Sequence, residues 1–140
     1  MRVVLDTNLV VSGLLTPFAP CAALVRLVAE GALTLCHDAR ILAVYREALL
    51  RPKFRLDPLL VETFLQLVET ESEAVAAAPL PVRLPDPDDE PFLEVALAAG
   101  AEALATGNAR RFAREAARPV AVLGPAAAIE RLRRSGSPSR

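Results

Sequence analysis

A three-layer α/β/α fold, with a central, mostly parallel sheet of four to five strands, is predicted by three observations. Short apolar runs alternate with stretches of helical periodicity along the whole chain, and such alternation implies a parallel sheet covered on both faces. The runs are apolar throughout rather than at every second residue, the pattern of strands buried on both sides. The composition is 53% hydrophobic with only 4% aromatic over 140 residues, which gives one domain with an aliphatic core.

Each element has a local reason. Val3-Val4-Leu5 reads as a buried strand. Thr7 or Asn8 is placed to cap a helix over 9–15. Pro17 and Pro20 break it, and a second helix over 21–30 closes at Gly31. A second strand covers 33–36. Asp38 caps a helix over 39–50 that stops before Pro52. Asp57-Pro58 opens the next, striped by Leu59, Leu60, Phe64, Leu67 and Val68. A third strand is expected over 73–78, then a proline-rich loop over 79–87. Asp88 or Asp89 caps a helix with the apolar face Phe92, Leu93, Ala96 and Leu97, ended by Gly100. A fourth strand covers 103–106, and Asn108 caps a helix through Ala116. The last strand lies within 119–123, and Gly124-Pro125 opens a final helix to Arg134. Residues 1–134 form the domain and 135–140 read as a frayed tail.

Charge and cysteine content exclude some classes of function. The net charge of −1 supplies no global field for a polyanion, so any nucleic acid must be met by a local patch. Arg51, Lys53 and Arg55 form one such patch, and Arg110, Arg111 and Arg114 another. Cys21 and Cys36 show no metal-type or disulfide-framework spacing, the pattern of buried thiols in a reducing cytosol. The uncharged stretch 7–25 is interrupted by Asn8, Ser12, Thr16, Pro17 and Pro20, which makes it a poor spanning helix, and Asp6 spoils it as a signal peptide. A cytoplasmic protein without membrane contact is expected.

The informative residues are acidic and remote from one another: Asp6 at the end of the first strand, Glu47 on the edge of the apolar face of the 39–50 helix, and the knot Asp86-Pro87-Asp88-Asp89-Glu90 ahead of a buried helix. Carboxylates brought together repel by roughly 4 kcal/mol per pair at 4 Å and an effective dielectric near 20. A fold that gathers them is usually built around a hard divalent cation. In parallel sheets the site lies at the carboxyl ends of the strands, near the point where strand order reverses. Asp6 follows one strand and Asn108 another. Asn8 and Ser12, four apart, share a helical face from which they are expected to steady the Asp6 carboxylate or a bound water. Each residue also has a plainer reading: capping for Asp6, Asn8 and Ser12, and a surface ion pair with Arg51 for Glu47. Phosphate-loop and dinucleotide fingerprints are missing, and the one histidine, His37, reads as a surface residue at a helix entry.

On these residues the chain resembles the PIN domain family and, within it, toxins of VapC type from toxin–antitoxin pairs. Val3-Val4-Leu5-Asp6-Thr7-Asn8 with Ser12 is similar to the family's opening motif, and the segment from Tyr45 to Phe54 around Glu47 to its second. Asp86-Pro87-Asp88-Asp89-Glu90-Pro91-Phe92-Leu93 is similar to the third, and Thr106-Gly107-Asn108 to the fourth. The resemblance spans residues 3 to 132. It implies a metal-dependent ribonuclease acting on single-stranded RNA, with Asp6, Glu47 and Asp89 as catalytic acids. Mg²⁺ or Mn²⁺ would be held by Asp6, Asp89 and Glu47, with Asp86 and Asn108 as further ligands. Asn8, Ser12 and Thr106 would support those ligands from behind, and Arg51, Lys53, Arg110 and Arg111 would meet the RNA backbone. Many relatives carry Asp at the place of Asn108, so this site has one charge fewer. An antitoxin that covers the acidic cleft and a homodimer are the implied partners. Two alternatives stay open: a PIN-like RNA- or protein-binding module without turnover, and a small metal-dependent phosphatase.

Overall fold

The computed structural model describes residues 1–16, 19–112 and 117–135. Its strands are β1 (Arg2–Leu5), β2 (Thr34–His37), β3 (Glu73–Ala74), β4 (Ala103–Ala105) and β5 (Ala121–Leu123). They form one sheet in the order β3-β2-β1-β4-β5, and every pairing is parallel. The helices are α1 (Thr7–Leu15), α2 (Pro20–Ala29), α3 (Ala39–Leu49), α4 (Pro58–Glu71), α5 (Glu90–Ala99) and α6 (Pro125–Ser135). The three-layer α/β/α architecture is the expected one. The third strand is shorter than expected, two residues instead of six, because the chain leaves the sheet after Val75 N–H donates to the His37 carbonyl at 2.8 Å.

The order places β1 at the centre, with β2 and β3 on one side and β4 and β5 on the other. Strand order therefore reverses between β1 and β4, the position where open parallel sheets leave a crevice at their carboxyl ends. Val3, Val4 and Leu5 are at most 1% exposed, as are Ala103, Leu104 and Ala105 of the neighbouring strand. Helix α5 packs across β1, β2 and β4, and α6 covers β4 and β5. Gly13 lets α1 and α2 approach: a Cβ there would stand 2.5 Å from Val25 Cγ2 and 2.8 Å from the Cys21 carbonyl oxygen. Among the described residues no single helix is long and apolar enough to cross a membrane; α1 and α2 pass that test only together, and they bend by 96°.

Three local expectations are corrected. Helix α1 is capped by Asp6 itself, whose Oδ1 accepts from Thr7 N–H at 2.8 Å, not by Thr7 or Asn8. Asn108 makes no capping hydrogen bond; a 3-10 turn over Ala109–Arg111 follows it, and residues 113–116 of the helix expected there lie outside the described residues, as do residues 136–140 of the expected tail. His37 is buried rather than on the surface. It ends β2, and its Nδ1 lies 3.0 Å from the Ser72 hydroxyl that caps α4, so the ring ties the sheet edge to that helix.

Burial holds the His37 pKa below its ordinary value of 6.5, against the opposing charges of Asp38 and Glu69. The folded ring thus resists a proton that the unfolded chain accepts. The stability contribution is complete above pH 6.5 and declines as pH falls from 6.5 toward the folded pKa, with a slope bounded at about 1.36 kcal/mol per pH unit for one proton. His37→Gln is expected to flatten this part of the stability curve, as read from urea midpoints between pH 7.5 and 5.5. An unchanged slope would remove His37 as its source.

Candidate active site

The reversal point of the sheet holds a cavity of about 190 Å³ whose walls include Asp6, Asp86, Asp88, Asp89, Arg51 and Arg111. The apolar part of the wall comes from Val11, Val44, Ala48, Phe54 and Phe92. Four carboxylates thus face two guanidiniums. The cavity joins the end of β1, the start of α1, one face of α3 and the entry to α5, so residues far apart in sequence meet there.

Asp6 is 2% exposed and fully engaged. Its Oδ1 caps α1, and its Oδ2 accepts from the Thr106 hydroxyl at 2.6 Å. Thr106, at the end of β4 and 1% exposed, also accepts from Asn108 N–H at 3.1 Å. Below it the Tyr45 hydroxyl donates to the Leu5 carbonyl at 2.5 Å. Burial first, and then the negative charge of Asp6, push the Tyr45 pKa far up, so the phenol stays a donor. Thr106→Val keeps the shape and removes the hydroxyl. It is expected to cost about 1.5–3 kcal/mol, the range for a hydrogen bond to a charged group. Thr106→Ser should lose about 0.8 kcal/mol, one buried methyl's worth. Equal losses in chemical denaturation would contradict a role for the hydroxyl.

Asp89 is 1% exposed. It occupies the N-cap position of α5 but makes no capping hydrogen bond. Its carboxylate instead takes a two-pronged contact from Arg111: Nε donates to Oδ2 at 3.0 Å, and Nη2 donates to Oδ1. Arg111 Nη1 also lies 3.7 Å from Asp6 Oδ2. The guanidinium so joins the two buried acids, and its hydrogen bonds to Asp89 hold its pKa above the ordinary value. Arg111 was expected on an RNA backbone; the structure gives it to the acids.

The rest of the acidic knot divides by role. Asp86 Oδ1 accepts from Asp88 N–H at 2.9 Å, forming the turn that aims both at the cavity mouth. Glu90 turns away. It accepts from Leu84 N–H at 2.9 Å and Arg83 Nη1 at 3.1 Å. Glu94, one helical turn on, accepts from Leu80 N–H at 3.1 Å and Arg40 Nη1 at 2.7 Å. These two buried acids fasten the proline-rich segment to α5. The sequence carried a signal for them, an acid pair at i and i+4 in an otherwise apolar helix.

The structure does not bring every candidate inside. Glu47 is absent from the cavity wall; its carboxylate is 66% exposed and pairs with Arg51 at 2.9 Å, four residues on. Such a surface pair contributes about 0.3–0.5 kcal/mol. Arg51 itself lines the cavity, so Glu47 stands just outside the rim. Asn8 lines the cavity and is exposed, whereas Ser12 and Asn108 are exposed and do not line it. Lys53 stacks over Phe54 at 5.2 Å, beside the mouth, and Arg110 is exposed on the adjoining turn.

In kind, the donors fit a hard divalent cation: the lining carboxylates offer oxygen only. Thr7 also lines the cavity, and its buried Oγ1 has no hydrogen-bond partner. They are not assembled as a cage, since among the described residues no group of three or more His, Cys, Asp or Glu side chains is arranged around one point. The role of Arg111 was missed by sequence reasoning. The available signal was its place three residues after Asn108, at the end of the strand beside β1, where buried acids need a positive charge.

Comparisons with known proteins bear on this arrangement. The sequence profile of the PIN domain matches residues 2–110. No curated protein matches at a significant level. Among solved structures, a chain from the crystal structure of VapBC2 from Rickettsia felis, bound to a DNA fragment from its promoter, superposes with a TM-score of 0.59. It is 14% identical, and the match covers 89% of this chain and 98% of that one. At that identity the likeness is one of fold.

Proposed function

The chain belongs to the PIN domain family, and on that premise we propose that it is a metal-dependent ribonuclease, the toxin of a toxin–antitoxin pair. The observation that carries this reading is the convergence of Asp6 and Asp89, 83 positions apart in sequence, on one cavity at the reversal point of a parallel sheet.

Asp6 and Asp89 are the proposed ligands of Mg²⁺ or Mn²⁺, with Asp86 and Asp88 at the mouth and Thr7 Oγ1 within reach of the cavity. When bound, such an ion supplies charge neutralisation at a phosphodiester and a lowered pKa for attacking water. The protein's own groups do the rest. Asp6 is held in one orientation by Thr7 N–H and the Thr106 hydroxyl, so its oxygens need no rearrangement. Arg51 and Lys53 stand at the rim, where single-stranded RNA would lay its phosphates. Phe54 and Phe92 are the aromatic residues of the wall, so base stacking has a small share in recognition. Glu47 enters only by exchanging Arg51 for the cation.

The proposal extends to a protein partner of antitoxin type. Its support is the fold likeness to a chain of a VapBC complex and a mainly apolar groove of about 640 Å³ between the α1–α2 pair and α4, lined by Leu14, Val25, Leu60, Phe64 and Leu67. A homodimer and a cytoplasmic setting belong to the same reading. A second reading, an RNA- or protein-binding module without turnover, draws on the Arg111–Asp89 pair, which occupies the carboxylate that a cation would need.

Single-stranded RNA incubated with the purified chain should be cut internally with Mn²⁺ or Mg²⁺ present and left intact with EDTA. No cutting under any metal condition would leave the binding module. Turnover of a small phosphomonoester with RNA untouched would make it a phosphatase.

A further inference from the structure

Arg111 is the feature that this nuclease reading does not absorb. It sits on the 3-10 turn that leaves β4, and the site itself positions that turn. Thr106 Oγ1 holds Asp6 and accepts from Asn108 N–H; the Asn108 carbonyl then accepts from Arg111 N–H at 3.2 Å. Phe112, 4% exposed, anchors the other side. Among the described residues, Arg111 is the one donor to the Asp89 carboxylate. Asp6, by contrast, keeps two other donors.

We propose that Arg111 is the resident counter-ion of the Asp6–Asp89 pair and that a divalent cation binds by displacing it. This rests on the metal-dependent reading above. One guanidinium between two buried carboxylates leaves one negative charge uncompensated, while a doubly charged ion compensates both. The guanidinium covers both Asp89 oxygens, so a cation cannot share that carboxylate without moving it, and two adjacent positive charges repel. The exit is open: the Arg111 side chain is 30% exposed while the acids are at most 3% exposed, so it lies on the solvent side of them. Displaced, it remains at the mouth beside Arg51, where a phosphate would arrive. In the metal-free protein Asp89 is thereby occupied, and its oxygens are released only when the cation is supplied.

Calorimetric titration with MnCl₂ tests this on the native chain, Arg111→Gln and Arg111→Lys. Arg111→Gln should bind Mn²⁺ at least about tenfold more tightly than native, equivalent to about 1.4 kcal/mol. Arg111→Lys keeps the charge but loses the two-pronged contact and should fall between. A second measurement needs no variant. The Arg111 Nε–H, bonded to Asp89, should give a protected resonance in nuclear magnetic resonance spectra that disappears on titration with Mg²⁺. If native protein binds Mn²⁺ and Arg111→Gln binds it no more tightly, the displacement idea is wrong and the nuclease reading stands. If the Nε–H signal persists at saturating Mg²⁺, displacement is likewise excluded. If neither protein binds Mn²⁺, both ideas fall together.

Discussion

Asp6→Asn is expected to lower metal-dependent RNA cleavage by on the order of 10³-fold, the several kcal/mol a bound cation contributes at about 1.36 kcal/mol per factor of ten. The substitution is nearly isosteric. Its amide oxygen can still accept from Thr7 N–H and keep the cap of α1, and Arg111 retains Asp89. The variant should therefore fold and bind RNA with little change, while loss of the charged acceptor for the Thr106 hydroxyl lowers stability, read from the urea midpoint, by no more than the loss of about 1.5–3 kcal/mol expected of Thr106→Val. What it loses is one full negative charge at the floor of the cavity, and with it most of the hold on a cation. Cleavage rates with Mn²⁺, set beside circular dichroism and denaturation curves, separate the two effects. Activity within a few-fold of native would remove Asp6 from the chemistry.

Leu5→Ala is expected to lose about 2–5 kcal/mol of stability, the range for emptying a fully buried leucine site. Leu5 is not exposed at all, lies on the central strand β1, and directly precedes Asp6. Its neighbour in register across the sheet is Ala105, whose carbonyl accepts from Asp6 N–H at 2.9 Å, so little can move in to fill the space. A loss of that size is a large part of the 5–15 kcal/mol total typical of such a domain. Leu59, 74% exposed on α4, is the matched control; Leu59→Ala should change stability by about 0.5 kcal/mol or less. Urea unfolding decides between them, and equal midpoints would contradict the placement of β1 at the core.

The strands and helices were legible because their signals are local. Apolar runs bounded by Gly and Pro mark β1, β2 and β4, and Gly100, at φ 63, ends α5 where the sequence predicts. The weakest elements were misjudged where tertiary partners decide. β3 shortens because its pairing ends at His37, and His37 is buried because Ser72 of a distant helix end meets it.

For the site, the sequence showed which acids are unusual but not which way each faces. Asp6 and Asp89 were both expected at the centre and both line the cavity. Their supporting contacts ran opposite to expectation: Asp6 caps its helix, whereas Asp89, which had a cap in prospect, leaves its helix end uncapped and takes Arg111. Glu47 lies on the boundary of an amphipathic face, where a rotation of about 60° separates cavity from solvent, and the local pair with Arg51 settles its direction. Glu90 serves the Leu84 amide rather than the cavity, a choice fixed by a loop whose path no periodicity encodes. Thr106, expected behind the acids, does reach one of them: its hydroxyl donates to Asp6 from the end of the neighbouring strand.

The measurement that bears most directly on all of this is anomalous scattering from Mn²⁺ in crystals grown with the metal. A peak lying between the Asp6 and Asp89 carboxylates, with Arg111 turned away from them, is the expected result. Crystals saturated with Mn²⁺ that show no peak there, and Arg111 still clasping Asp89, would contradict a cation site at the centre of this fold.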